Sequence, residues 1–188
     1  MEGESWRLGS PRGWADTLRR TLRSKALLEH VGMDGGVLDC CGSTKDAVST
    51  VLTERPFRVT TYDLNGSLVA DSHMDARTDA FVDAFGEEAR RPDWVVTSPP
   101  YRHAFAILKR ALIVGRVGVA FKLRLTFLEP TKTRGQWLRD NPPHSIVVLP
   151  RAFYRGAKCS STEAWFIWKG GQAETERVMP AYFFSLPA

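Results

Sequence analysis

A hydroxyl, two prolines and an aromatic ring follow one another at Ser98-Pro99-Pro100-Tyr101. The Ser98 hydroxyl and the Pro99 carbonyl are adjacent hydrogen-bond acceptors, and the tyrosine ring beside them can stack. Two prolines fix φ and remove two N–H donors, so the turn is rigid and its carbonyls point at something other than a helical partner. The apolar run Asp93-Trp94-Val95-Val96 reads as a buried parallel strand entering the turn, and His103 to Val114 as a helix leaving it. In an open α/β sheet, the carboxyl end of such a strand is where ligands bind. Taken alone, the four residues describe a plain Pro-Pro turn equally well.

A second motif lies upstream. Gly36-Val37-Leu38-Asp39-Cys40-Cys41-Gly42 is an apolar strand running into a tight turn, and a helix opens after it with Ser43 or Thr44 as the expected N-cap. Phe57 to Asp63 alternates like a strand and ends in an acid, 24 positions after Asp39. Strand, glycine turn, helix, strand and terminal carboxylate form the first unit of a nucleotide-type site, with the last carboxylate set to bind ribose hydroxyls.

In this order and spacing the two motifs resemble those of the S-adenosylmethionine-dependent amino-methyltransferases, which modify the exocyclic amine of a DNA base. The wording is closest to the small eukaryotic-like form with an SPPY tetrapeptide. The resemblance runs from about Gly36 to Trp168. It implies one catalytic domain over 1–188, with an α/β class I methyltransferase (Rossmann-like) fold: a seven-stranded mixed sheet with helices on both faces. S-adenosylmethionine is the implied cofactor, met by Asp39, Cys40 and Gly42 at the first turn and by Asp63 at the ribose. Asp75, chosen over Asp71, is the acid implied for the adenine amine, with a helix cap as an equal alternative. Thr44 stands where many relatives carry another glycine. Ser98 and the Pro99 carbonyl would orient the amine, Pro100 would stiffen the turn, and Tyr101 would stack on a flipped base. Serine at the first tetrapeptide position goes with cytosine N4, aspartate or asparagine with adenine N6. The expected activity is therefore DNA cytosine-N4 methylation. Adenine N6 is the runner-up, and RNA, protein glutamine or a catalytically dead nucleic-acid-binding relative follow. Retention of Asp39, Asp63 and the whole tetrapeptide argues against the last.

The elements that must position these residues are less sharply written. Trp14, Leu18, Leu22 and Ala26 recur at helical spacing up to Val31, after a loose arm at 1–11. A short third strand is expected near His73-Met74-Asp75, then a helix from Ala76 to Ala89 with Phe81, Val82 and Phe85 inward. Val117 to Leu125, Ser145 to Leu149 and Thr162 to Lys169 read as later strands, with a short helix around Gly135–Arg139 and a tail from Gly170 that is either peripheral or packs Tyr182-Phe183-Phe184 as a final segment.

The chain has 188 residues, 43% hydrophobic and 25% charged, which suits a single domain with a sizeable core. No apolar run reaches membrane length, no signal peptide opens the chain, and three cysteines make no disulfide framework, so an intracellular residence is expected, nuclear if the eukaryotic-like wording holds. The four histidines lack metal-ligand spacing, and no metal is expected. Charge is lopsided. Residues 1–94 hold 12 basic and 16 acidic side chains; residues 95–188 hold 14 and 5. A basic half that begins at the tetrapeptide points to a polyanionic partner, DNA. Lys122, Arg124, Lys132, Arg134, Arg139, Arg151, Arg155 and Lys158 are the candidate contacts, with Tyr154 as an interleaved aromatic, most of them in loops spanning 129–158.

Overall fold

The structure, a computed structural model, describes residues 24–150 and 161–170 in full, and the backbone alone of Phe153–Tyr154, Ala157–Lys158 and Ala181–Phe184. Helical residues 24–30 (α1) lead into strand β1 (Gly36–Asp39), helix α2 (Ala47–Thr53) and strand β2 (Arg58–Thr61). Helix α3 (Asp79–Asp83), strand β3 (Trp94–Thr97), helix α4 (Ala104–Val114), strand β4 (Gly118–Arg124) and helix α5 (Lys132–Asp140) follow. Strand β5 (Ser145–Val148), the two-residue strands β6 (Phe153–Tyr154) and β7 (Ala157–Lys158), and strands β8 (Glu163–Lys169) and β9 (Ala181–Phe184) complete the order.

Among the described residues, seven strands form one mixed sheet in the order β2-β1-β3-β4-β8-β5-β9, and β6 pairs with β7 separately. The first four are parallel; β8 is antiparallel to both β4 and β5, and β9 runs parallel to β5. From β1 the chain crosses to β2 on one side and returns to β3 on the other. The topology therefore reverses between β1 and β3, and the crevice outside their carboxyl ends is the usual ligand position in an open α/β sheet.

Period-two alternation sorts the core onto both faces. Val37, Trp94, Val96, Ala120 and Trp165 are buried against α1 (Ala26, Leu27) and α2 (Val48, Leu52). Their chain neighbours Leu38, Val95, Val119, Phe121 and Phe166 are buried against α3 (Phe81) and α4 (Ala104, Leu108, Ala111). Gly35, just before β1, has φ +85°, and a Cβ there would fall 2.0 Å from Asp93 Oδ2. That carboxylate instead accepts from the Gly36 N–H at 2.7 Å and pairs with Arg116, pinning the start of β1 to the start of β3.

Several expectations are corrected. The strand expected at His73-Met74-Asp75 is only an isolated parallel bridge, Tyr62 with Ser72. The helix expected from Ala76 to Ala89 is broken into α3 and a 3-10 turn, Glu88–Arg90, although Phe81 and Phe85 are buried as expected. The cap of α2 is Asp46, not Ser43 or Thr44: its carboxylate accepts from Val48 N–H at 2.8 Å and Ser49 N–H at 2.9 Å. Of the two readings of the tail from Gly170, the packed final segment holds for 182–184: Ala181–Phe184 is a strand paired with β5. The helical stripe at Trp14, Leu18 and Leu22 and the arm at 1–11 lie outside the described residues. No helix among those residues is long and apolar enough to cross a membrane.

Candidate active site

Asp39 ends β1 inside the protein, 1% exposed. It accepts from the Thr97 hydroxyl at 2.7 Å, the Ser49 hydroxyl at 3.2 Å and the Cys41 N–H at 3.3 Å. Thr97 is the last residue of β3, so this bond ties the end of β1 to the residue immediately before Ser98. Burial, with the nearby Asp46 carboxylate, pushes the Asp39 pKa up to about 7 despite the three donors. A Cβ on Gly42 would lie 2.1 Å from Asp39 Oδ2 and 2.5 Å from Asp46 Oδ2, so two carboxylates close on the turn that only glycine leaves open. Cys40 points into the core, where the hydrogen bond to Cys41 and burial hold its thiol well above the usual range. Any contact from Cys40 to a cofactor would run through its backbone.

The turn after β1 is stitched to the loop after β2. Gly42 N–H donates to the Tyr62 carbonyl at 3.1 Å, and Thr44 donates to the Val69 carbonyl from its N–H at 2.9 Å and its hydroxyl at 3.1 Å. Thr44 thus uses the side chain that a glycine would lack. Asp63 sits half-buried past β2, with Oδ1 accepting from Asn65 N–H at 2.7 Å. Asp71 is absorbed locally, accepting from Thr61 N–H at 2.7 Å and Thr61 hydroxyl at 2.9 Å. Asp75 caps its own turn and grips Arg77 (Nε to Oδ1 at 2.8 Å), which lowers its pKa to about 2. The Arg77 guanidinium also lies 3.3 Å from the ring of His103, the N-cap of α4. Arg77, ion-paired with Asp75 inside its own loop, therefore also touches the segment following the tetrapeptide.

In the tetrapeptide, Pro100 and Tyr101 give their carbonyls to His103 and Ala104, closing a turn into α4. Among the described residues, neither the Ser98 hydroxyl nor the Pro99 carbonyl is taken up by a protein hydrogen bond. Tyr101 is 42% exposed, yet its hydroxyl donates to Glu163, and the Arg124 guanidinium lies over its ring, 4.4 Å from the centroid. Partial burial and Glu163 raise the phenol pKa above the ordinary tyrosine range.

The basic candidates divide by geometry. Lys132 and Arg139 are exposed on α5. Arg134 turns back onto the start of its own helix, donating to the Glu129 carbonyl at 2.8 Å and lying over Phe127. The Lys122 ammonium lies 5.8 Å from the Trp165 ring centre. Arg151 and Arg155, and the side chains of Tyr154 and Lys158, lie outside the described residues. No group of three His, Cys, Asp or Glu side chains among the described residues could hold a metal.

Sequence reasoning passed over Thr97, Asp46 and Glu163. Asp46 had a signal, being an acid directly before the apolar helix pattern, but Ser43 and Thr44 carried the same one. Glu163 had only the oddity of an acid opening an apolar strand.

No protein-family model and no curated protein sequence matches the chain. Solved structures match its fold. A Listeria monocytogenes protein described as a class I S-adenosylmethionine-dependent methyltransferase superposes with TM-score 0.63 at 12% identity, over 90% of this chain and 64% of that one. A predicted O-methyltransferase from Agrobacterium tumefaciens gives 0.56 at 13%, over 87% and 84%. The M protein of the type I restriction enzyme EcoKI gives 0.54 at 14%, over 97% of this chain but only 48% of that one. At such identities likeness speaks for fold alone. The fold is that of the class I, Rossmann-like methyltransferases.

Proposed function

We propose that the protein is a DNA methyltransferase that moves a methyl group from S-adenosylmethionine to the exocyclic N4 amine of a flipped cytosine. One observation carries the reading. The glycine turn of β1 and the Ser98 tetrapeptide of β3 meet at the point where the sheet topology reverses, joined by the Asp39–Thr97 bond, with the Ser98 and Pro99 oxygens uncommitted.

The residues present suit the cofactor. Asp63, with one carboxylate oxygen engaged by Asn65, has capacity left for ribose hydroxyls, and the Gly42 turn lets backbone come close. Asp75 can receive the adenine amine while keeping Arg77 as its counter-charge. When bound, S-adenosylmethionine supplies an electrophilic methyl, which passes to nitrogen as its bond to sulfur breaks. The chain's own work is orientation. An aromatic amine is a poor nucleophile because its lone pair is delocalised into the ring. The Ser98 hydroxyl and Pro99 carbonyl accept its two hydrogens, favour a pyramidal nitrogen and aim the lone pair. After transfer, the nitrogen sheds one proton to solvent.

In the family these motifs resemble, serine at the first tetrapeptide position accompanies cytosine N4 methylation, which favours cytosine N4 over adenine N6. The basic second half and the likeness to a restriction enzyme's M protein favour DNA, and residence is nuclear only if the chain is eukaryotic. The test is direct: incubate purified protein with S-adenosylmethionine and unmethylated DNA, digest to nucleosides and identify the product by mass spectrometry. N4-methylcytosine is expected. N6-methyladenine would overturn the base assignment but keep the mechanism, and no methylated base would overturn DNA as substrate. Asp63→Ala should weaken cofactor affinity about tenfold or more, the loss of a charged hydrogen bond; unchanged affinity would sink the ribose role.

A further inference from the structure

We infer that Glu163 is a positioning residue for the Tyr101 ring, and that Arg124 seals one face of that ring so that a target base can stack only on the other. The inference rests on the proposed base-methylating function and adds to it the device that sets the stacking platform.

Three elements converge on Tyr101. The ring leaves the chain at the rigid Pro99-Pro100 turn after β3, and its hydroxyl donates to Glu163, the first residue of β8. Arg124, the last residue of β4, is the ladder partner of Glu163, so both side chains rise from the same face of neighbouring strands. The Arg124 guanidinium lies over the ring, its carbon 4.4 Å from the centroid. Glu163 is 7% exposed, an unusual place for a carboxylate at the mouth of a site unless something holds it there. The tyrosine hydroxyl, which donates to it, is one group that does so. A tyrosine held only by its backbone could rotate about χ1 and χ2; one anchored at both ends presents one plane. With Arg124 on one side and the residue still 42% exposed, the opposite face is the surface left for a base. The guanidinium then stands beside the stacked nucleotide, where it can meet its phosphate.

The test compares Tyr101→Phe, Glu163→Ala and Glu163→Gln in the full chain. Glu163→Ala should raise KM for DNA about tenfold, with kcat and cofactor affinity changed by no more than a few-fold, as expected for a lost charged hydrogen bond. Tyr101→Phe keeps the ring on a half-exposed site and should give the same KM rise; the double variant should be no worse than either single one. Glu163→Gln retains an acceptor and should recover most of the loss. A second readout needs no turnover: the ultraviolet ionisation of Tyr101, taken as the difference from Tyr101→Phe, should shift to lower pH in Glu163→Gln and further in Glu163→Ala. Additive effects, or a Glu163→Ala protein with wild-type KM and wild-type ionisation, would overturn the inference. If the wild type methylates no DNA while the ionisation still responds to Glu163, the proposed function and the base-stacking role fall together and the tyrosine–carboxylate link stands.

Discussion

Asp39 uses both carboxylate oxygens within the protein, so it serves the site by holding Thr97 and the Cys41 turn in place. Its folded pKa of about 7 lies above that of an unfolded aspartate, about 3.9. The folded state therefore binds this proton more tightly, and the linked stability is complete below about pH 4 and lost as pH rises through about 7. Asp39→Asn removes that dependence. The thermal midpoint of the wild type should fall relative to Asp39→Asn between about pH 4 and 8, and parallel curves would refute the shift. Ser98 has the complementary role in the proposed reaction. Ser98→Ala should lower kcat roughly 10- to 100-fold, the worth of one well-placed hydrogen bond, with cofactor affinity nearly intact; full turnover would remove it from the mechanism. The types of Asp39 and Ser98 were readable because glycine and proline mark their turns. The Thr97 bond was not, since its partners stand 58 positions apart and nothing local signals the pairing.

At the scale of elements, the β1–α2 turn depends on Asp46, which caps α2 with one oxygen and takes the Ser43 N–H at 2.9 Å with the other. Asp46→Ala should cost about 1 kcal/mol, read from chemical denaturation, and should lower the pH at which Asp39 ionises by removing a like charge. A loss well below that would mean water or Ser43 replaces the cap. Strands β1 and β3 were legible as apolar runs because both faces of a parallel sheet are covered. The segment at His73-Met74-Asp75 misled for the reverse reason: its residues suit a strand, but Asp71 and Ser72 spend their backbone groups on Thr61, leaving one bridge instead of a ladder. The helix from Ala76 was overextended because Gly86, with its N–H turned to the Asp83 carbonyl, interrupts an otherwise helical spacing.

Taken whole, the molecule is electrically divided, with its basic half beginning at the tetrapeptide. Binding to DNA should therefore weaken steeply with salt. Neutralising Lys132 and Arg139 together should reduce the slope of log affinity against log salt by about 2, roughly one for each lost phosphate contact. An unchanged slope would place the DNA elsewhere. Arg134, folded over Phe127, should instead affect stability more than slope.

The position of β9 bears on how such a chain can be made. By residue 124 a growing polypeptide already has β2, β1, β3 and β4, four strands that neighbour one another in the finished sheet. Strand β5 emerges next, yet its two neighbours, β8 and β9, are synthesised after it. Ser145–Val148 therefore leaves the ribosome as an apolar strand with both edges open; β8 can cover one edge once the chain reaches residue 169, and the other stays open until residue 184. The strands that protect it are translated after it.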